Sequence, residues 1–168
     1  MATPHPRLRE WHEDDLPALY RLQTNPDVAW WLGGAWSMAE CAAALSRMIA
    51  LRERTDCGMW AVLDDAGEIV GAAGTHPVNS RMPFAPAIEA AWRLLPGARR
   101  KGLATSVMRP ILAQPRGPVI AYTAASNLAS VALMFRLGFT HVPANDFDHP
   151  GLPEGHELRP HRFYRLTS

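Results

Sequence analysis

Residues 95–107 read LPGARRKGLATSV, a strand end, a basic turn and a helix start in thirteen positions. Pro96 and Gly97 close the apolar run AIEAAWRLL (87–95), which reads as a strand. Arg99, Arg100 and Lys101 then crowd together before Gly102 and a good helix-forming run. Like charges repel, and a glycine at a helix start costs order. An anion would make the arrangement sensible. The first backbone N–H groups of a helix lack intrahelical partners, and the helix dipole favours negative charge there. Glycine lets a phosphate approach the backbone, Ala104 and Thr105 keep the next turn small, and the three cations add charge. The turn thus reads as a pyrophosphate cradle. It reads equally as a solvated basic turn ended by a glycine, and the cluster alone does not choose. A Walker loop is absent, and Gly97 and Gly102 do not supply the three spaced glycines of a dinucleotide fingerprint.

Composition narrows the setting. The chain of 168 residues suggests one domain spanning 1–168, and 48% hydrophobic residues can bury a sizeable core. A formal net charge of +1 argues against bulk attraction to nucleic acid, so the basic turn stands out locally. Cys41 and Cys57 form neither a metal spacing nor a disulfide framework, which fits a reducing cytosol. The start, MATPHPRLRE, lacks a signal-peptide apolar region, and no run approaches the ~18 apolar residues of a membrane span. The expectation is a cytoplasmic protein with no membrane partner.

Along the chain, RLREW (7–11) predicts a short strand, and Asp14 and Asp15 open a helix to about Thr24 that TNPDV stops. Ser37 and Glu40 form a capping box launching a helix to about Arg54. MWAVLDDAGEIVGAAG (59–74) predicts two strands joined at Asp64–Gly67, and VNSRMPFAP a loop. A helix starts near Gly102, with Pro110 expected to kink or shorten it. GPVIAYTAA (117–125) predicts a buried strand, and SNLASVALMFRLG (126–138) a helix capped by Ser126 or Asn127 and stopped at Gly138. FTHVPANDFD predicts a strand and loop, and RFYRL (162–166) a final strand. The order is β-α-α-β-β-β-α-β-α-β-β, a mixed α/β class.

RRKGLA matches Arg/Gln-x-x-Gly-x-Gly/Ala, with Arg99, Gly102 and Ala104 at the defining places. It resembles the acetyl-CoA signature of the GNAT superfamily of N-acetyltransferases. NLASVALMFRLGF, with Asn127, Ser130, Gly138 and Phe139, resembles a second segment found in its RimJ/RimL-like branch, which includes ribosomal-protein-alanine acetyltransferases. EDDLPALYRLQTNPDVAWWL and LRPHRFYRL are also similar, so the likeness covers nearly the whole chain. It implies a mixed, mostly antiparallel twisted sheet flanked by helices, with acetyl-CoA as cofactor.

The resemblance also implies a pose. The strand carrying Leu94 and Leu95 splays from its neighbour and pairs with the pantetheine arm. Backbone N–H groups from about Arg99 through Arg100, Lys101, Gly102, Leu103 and Ala104 to Thr105 hold the pyrophosphate. Asn127 is placed to hydrogen-bond pantetheine or acceptor, and it also reads as a plain helix cap. Phe135 reads as packing on the cofactor arm or in the core. Acyl transfer to an amine needs the amine neutral and a proton for the departing thiolate. Glu89 interrupts an apolar strand and is the base candidate; its other reading is an ion pair with Arg93, four residues on and on the same face. Met134 occupies the place where many relatives carry a thiolate-protonating tyrosine. Ser130 is the substitute, or else a helix hydroxyl bonding back to a carbonyl, and Tyr122 an outside candidate.

The resemblance places the acceptor, a protein N-terminus or a small-molecule amine, among Trp30, Trp31 and Trp36, the loop Asn79–Pro86, and Asp146–His156, although at least one of the tryptophans reads as a core or helix-packing group. His149, His156 and His161 match no usual metal spacing. No nucleic acid is expected as a partner; a homodimer is compatible with similar proteins. The rival readings are a GNAT-fold acyl-CoA-binding or regulatory module, which Met134 favours, and a binder of a nucleotide other than CoA.

Overall fold

A computed structural model describes residues 3–55, 57–78, 80, 82–114 and 117–167. Asn79 and Arg81, part of the expected acceptor loop, lie outside the described residues. Strands β1 (Leu8–Arg9), β2 (Gly58–Leu63), β3 (Ile69–Pro77), β4 (Ile88–Leu94), β5 (Val119–Ala124), β6 (Phe139–His141), β7 (Phe147–Asp148) and β8 (Pro160–Leu166) form one sheet. Its order is β1-β2-β3-β4-β5-β8-β6, with β7 also on β8. Every pairing is antiparallel except β4 with β5. The helices are α1 (Leu16–Thr24), α2 (Pro26–Ala29), α3 (Met38–Arg54), α4 (Leu103–Leu112) and α5 (Leu128–Arg136). The mixed α/β class and the mostly antiparallel sheet agree with the expectation.

Strand alternation distributes the core. Trp60, Val62, Ala90 and Leu94 face Val107, Met108 and Ile111 of α4 and Met134 of α5. Their neighbours Met59, Ala61 and Ala91 face Leu19 and Leu22 of α1 and Cys41 and Leu45 of α3. Local signals launch the elements. The Ser37 hydroxyl accepts from Glu40 N–H at 3.2 Å and the Glu40 carboxylate accepts from Ser37 N–H at 2.7 Å, so α3 begins where the capping box predicts. Asp64 accepts from the N–H groups of Ala66 and Glu68 at 2.9 Å and closes the β2–β3 hairpin.

Three details differ from the reading of the sequence. α1 ends at Thr24 as read, but Asn25 then caps a short further helix, α2, by accepting from Asp27 N–H. Pro110 sits two residues before the end of α4, late enough that less than one turn of helix follows it. FTHVPANDFD yields two strands, β6 and β7, because Asp146 between them accepts from Phe163 N–H of β8 and binds His141.

What positions the site is a gap in the sheet. β4 and β5 are in register only at Ile88–Val119 and Glu89–Ile120. Beyond Glu89 the strands separate while β4 stays paired to β3 through Leu94. Leu95 N–H still bonds Val70 O at 2.8 Å. In an antiparallel pair backbone groups alternate sides, so Ala90, Trp92 and Leu94 present theirs to the gap. Among the described residues, no helix is long and apolar enough to cross a membrane.

Candidate active site

A cleft of about 1040 Å³ opens along that unpaired edge, lined by β4, the start of α4 and the cleft-facing side of α5. At one end, Arg100 (φ 63°) and Gly102 (φ 76°) both take left-handed backbone. Ser106 N–H is the first in α4 with a backbone acceptor, Gly102 O at 2.9 Å. Among the described residues, the N–H groups of Arg100, Lys101, Gly102, Leu103, Ala104 and Thr105 have none. Successive free amides of this kind make an anion-binding concavity. A Cβ added at Gly102 would meet nothing within 4 Å, so the turn is open where a phosphate would approach.

The structure places three of the residues named from the sequence apart from the others. Arg99 N–H is spent on Pro96 O at 3.1 Å, so the free amides begin at Arg100. The Arg99 side chain instead donates to Leu94 O at 2.9 Å and Asp27 O at 3.2 Å, tying the end of β4 to α2. Leu95 lies just past β4 and packs into the α1–α3 core, away from the cleft lining. The Lys101 side chain is exposed and does not line the cleft, while its backbone N–H stays among the free amides. Leu94, Arg99, Arg100, Gly102, Leu103, Ala104, Thr105, Asn127, Ser130 and Glu89 all line it.

Glu89 lies where the two strands part. Its side chain is 12% exposed, and burial pushes its pKa above the ordinary carboxylate range. His76, a loose hydrogen-bonding contact from the Tyr122 hydroxyl, and the Arg93 charge pull the other way without overcoming burial. His76 stands directly across from Glu89 in the β3–β4 register, with Nε2 3.9 Å from Oε2. The expected alternative, a Glu89–Arg93 ion pair, does not form within 4.0 Å; His76 is the only ion-pair partner of Glu89 among the described residues. The Tyr122 phenol is pushed up by burial and by Glu89, so it keeps its proton. Its ring packs against Phe84 and Phe147 at 5.3 and 5.5 Å. His149 and His161 also line this end, and burial lowers the pKa of His161 to about 4, leaving the ring neutral. His156 lines a separate, shallow pocket.

On the facing wall, Asn127 caps α5 by accepting from Ser130 N–H at 3.2 Å, and its amide donates to Thr123 at 3.1 Å. One amide hydrogen and a lone pair remain for the cleft. The Ser130 hydroxyl makes no hydrogen bond among the described residues; the back-bonding alternative is not realised. Met134 is 2% exposed and belongs to the core. Phe135 lies largely exposed against Tyr164.

Residues 6–140 match the acetyltransferase (GNAT) domain. The chain belongs to the GNAT acetyltransferase family. Solved structures share the GNAT architecture at low identity. A Bordetella pertussis protein of the GnaT acetyltransferase family is 24% identical, with 95% of this chain and 94% of that one aligned at TM-score 0.78. The ribosomal-protein-alanine N-acetyltransferase of Brucella melitensis is 21% identical, with 96% and 99% covered at TM-score 0.73. The phosphinothricin acetyltransferase of Sinorhizobium meliloti, solved in complex with AcCoA, is 24% identical, with 94% and 85% covered at TM-score 0.68.

Within this GNAT domain, reasoning from the sequence passed over two lining residues. His76 lies in a glycine- and alanine-rich strand, and only the hairpin register sets it opposite Glu89. Arg93 entered only as a partner for Glu89. No local signal marks a cation as unpaired, since that depends on what every other segment brings near it.

Proposed function

We propose that this GNAT acetyltransferase is an acetyl-CoA-dependent N-acetyltransferase that moves an acetyl group directly to a primary amine, without a covalent acyl-enzyme. The observation that carries the reading is the run of six acceptorless amides, Arg100 to Thr105, opening onto the unpaired edge of β4 that leads to Glu89. The amides and the Arg100 cation fit a diphosphate, and the Trp92 and Leu94 backbone fits an extended amide-bearing arm, as in strand addition. When bound, acetyl-CoA supplies a thioester activated for attack by an amine. The Glu89 carboxylate takes the amine's proton, with His76 and Tyr122 holding it in place; its raised pKa makes it a better base near neutrality. The Ser130 hydroxyl, uncommitted to any other bond, holds a proton for the departing sulfur. Asn127 orients groups across from β4 with its remaining amide hydrogen. The RimJ/RimL-like segment 127–139 and a cytoplasmic setting complete the reading.

The test is incubation with acetyl-CoA and a panel of primary amines and N-terminal peptides, following free thiol by colour reaction and product by mass spectrometry. Stoichiometric thiol release with acetylated amine is expected. Tight CoA binding with no acetylated product on any amine would overturn transfer in favour of the binding module that Met134 suggests.

A further inference from the structure

Arg93 is a cation that forms no ion pair within 4.0 Å among the described residues. It sits on β4 one turn of the pleat from the Glu89–Ala91 pair, on the face that packs toward α1 and α3. Its guanidinium carbon lies 5.7 Å from the Trp36 ring centroid, and the residue lines the cleft. It makes no hydrogen bond, and no carboxylate oxygen comes within 4.0 Å of it among the described residues. Two other half-buried arginines, Arg9 and Arg99, differ. Arg9 is paired with Asp15 through two bonds of 2.7 and 2.8 Å, and Arg99 donates to Leu94 O and Asp27 O. A guanidinium carries five N–H donors in a fixed fork, and leaving such a group desolvated and unpaired is costly. Burial lowers the Arg93 pKa, and the charges of Glu89 and Cys41 offset that only in part.

The cofactor is not the obvious partner. The cradle at Arg100–Thr105 supplies its own amides and its own cation for phosphate, whereas Arg93 points to the opposite face, among Trp36, Cys41 and the cleft-lining Trp31, Leu32 and Gly33. That face is walled by the segment joining α2 to α3 and also carries Glu89, the group assigned to the amine. We infer that Arg93, lying over the Trp36 ring, is the anion-recognition residue of the acceptor subsite, and that the acceptor is an amine carrying a carboxylate. A planar guanidinium held by an aromatic ring meets a carboxylate through two parallel N–H···O bonds. Glu89 and Arg93 are four strand residues apart, about 13 Å at the Cα atoms, so the carboxylate is separated from the amine by several bonds rather than one. The inference rests on the proposed transfer to an amine.

Two measurements test it. The first needs no turnover: thermal melting of the CoA-loaded protein with succinate or glutarate, against their neutral diamides. The diacids are expected to raise the melting temperature and the diamides not; Arg93→Gln should abolish the shift and Arg93→Lys keep part of it. Equal shifts for acids and amides, or a shift undiminished in Arg93→Gln, would overturn the inference. So would a CoA affinity that collapses in Arg93→Gln without added diacid, since Arg93 would then serve the cofactor. The second compares kcat/KM for ω-amino acids with alkylamines of the same length, and for the dipeptide Ala-Glu with Ala-Gln, which separates small acceptors from acidic N-termini. Preference for the carboxylate member by about tenfold to a hundredfold is expected, falling to near unity in Arg93→Gln. Equal rates would overturn the inference while leaving amine acetylation intact. If no amine is acetylated but diacids still stabilise through Arg93, the anion subsite stands and the transfer reading fails.

Discussion

Replacing Gly102 separates the backbone role of that residue from its role beside a phosphate. Its φ of 76° is left-handed, and an added Cβ meets nothing within 4 Å. Gly102→Ala therefore brings no clash and costs only the left-handed strain of an L-residue, about 1–2 kcal/mol. For a domain of this size each kcal/mol is worth roughly 2–4 °C, so the melting temperature should fall by about 2–8 °C. Gly102→Glu carries the same strain and also sends a negative charge into the cradle. At an effective dielectric of about 20, two unit charges about 5 Å apart repel by roughly 3 kcal/mol, about a hundredfold in affinity. The two variants should thus melt alike, while CoA affinity, read by calorimetry, falls at least about a hundredfold in Gly102→Glu and stays within about tenfold of the parent in Gly102→Ala. A folded Gly102→Glu protein that binds CoA as the parent does would refute the cradle. Equal losses in both variants would mean that the bend, not the charge, is what matters.

Further outcomes follow from the Glu89 end. Glu89→Gln should lower kcat by about a hundredfold to ten-thousandfold with CoA affinity little changed, measured by steady-state kinetics and calorimetry. Because the folded-state pKa of Glu89 is raised, the folded protein keeps this proton after the unfolded chain has lost it, so stability falls from the ordinary carboxylate pKa upward until the raised value is passed. Glu89→Gln removes that loss: its melting temperature relative to the parent should rise through that window and stay constant below it. Tyr122→Phe removes a contact that lowers the Glu89 pKa, so the acidic limb of the rate profile should move to higher pH. Asn127→Ala loses the α5 cap, about 1 kcal/mol, and should lower the melting temperature by roughly 2–4 °C.

Several features of this GNAT domain are written into short windows of the chain. Ser37 with Glu40 places the start of α3, Asp64 with Gly67 closes the hairpin, and Gly102 after a basic run opens α4, because caps, turns and positive φ are decided within about four residues. Glu89 stood out for the same reason, as a carboxylate in an apolar strand. The tertiary structure alone decided the rest. Where β4 and β5 part depends on pairing between segments thirty residues apart, and without that gap the free amides would face nothing. His76 opposite Glu89, Arg99 turned back onto Leu94 and Asp27, and Arg93 with no carboxylate within 4.0 Å among the described residues are all distances between remote stretches. Strand register and sheet packing set such distances, and no window of neighbouring residues encodes them.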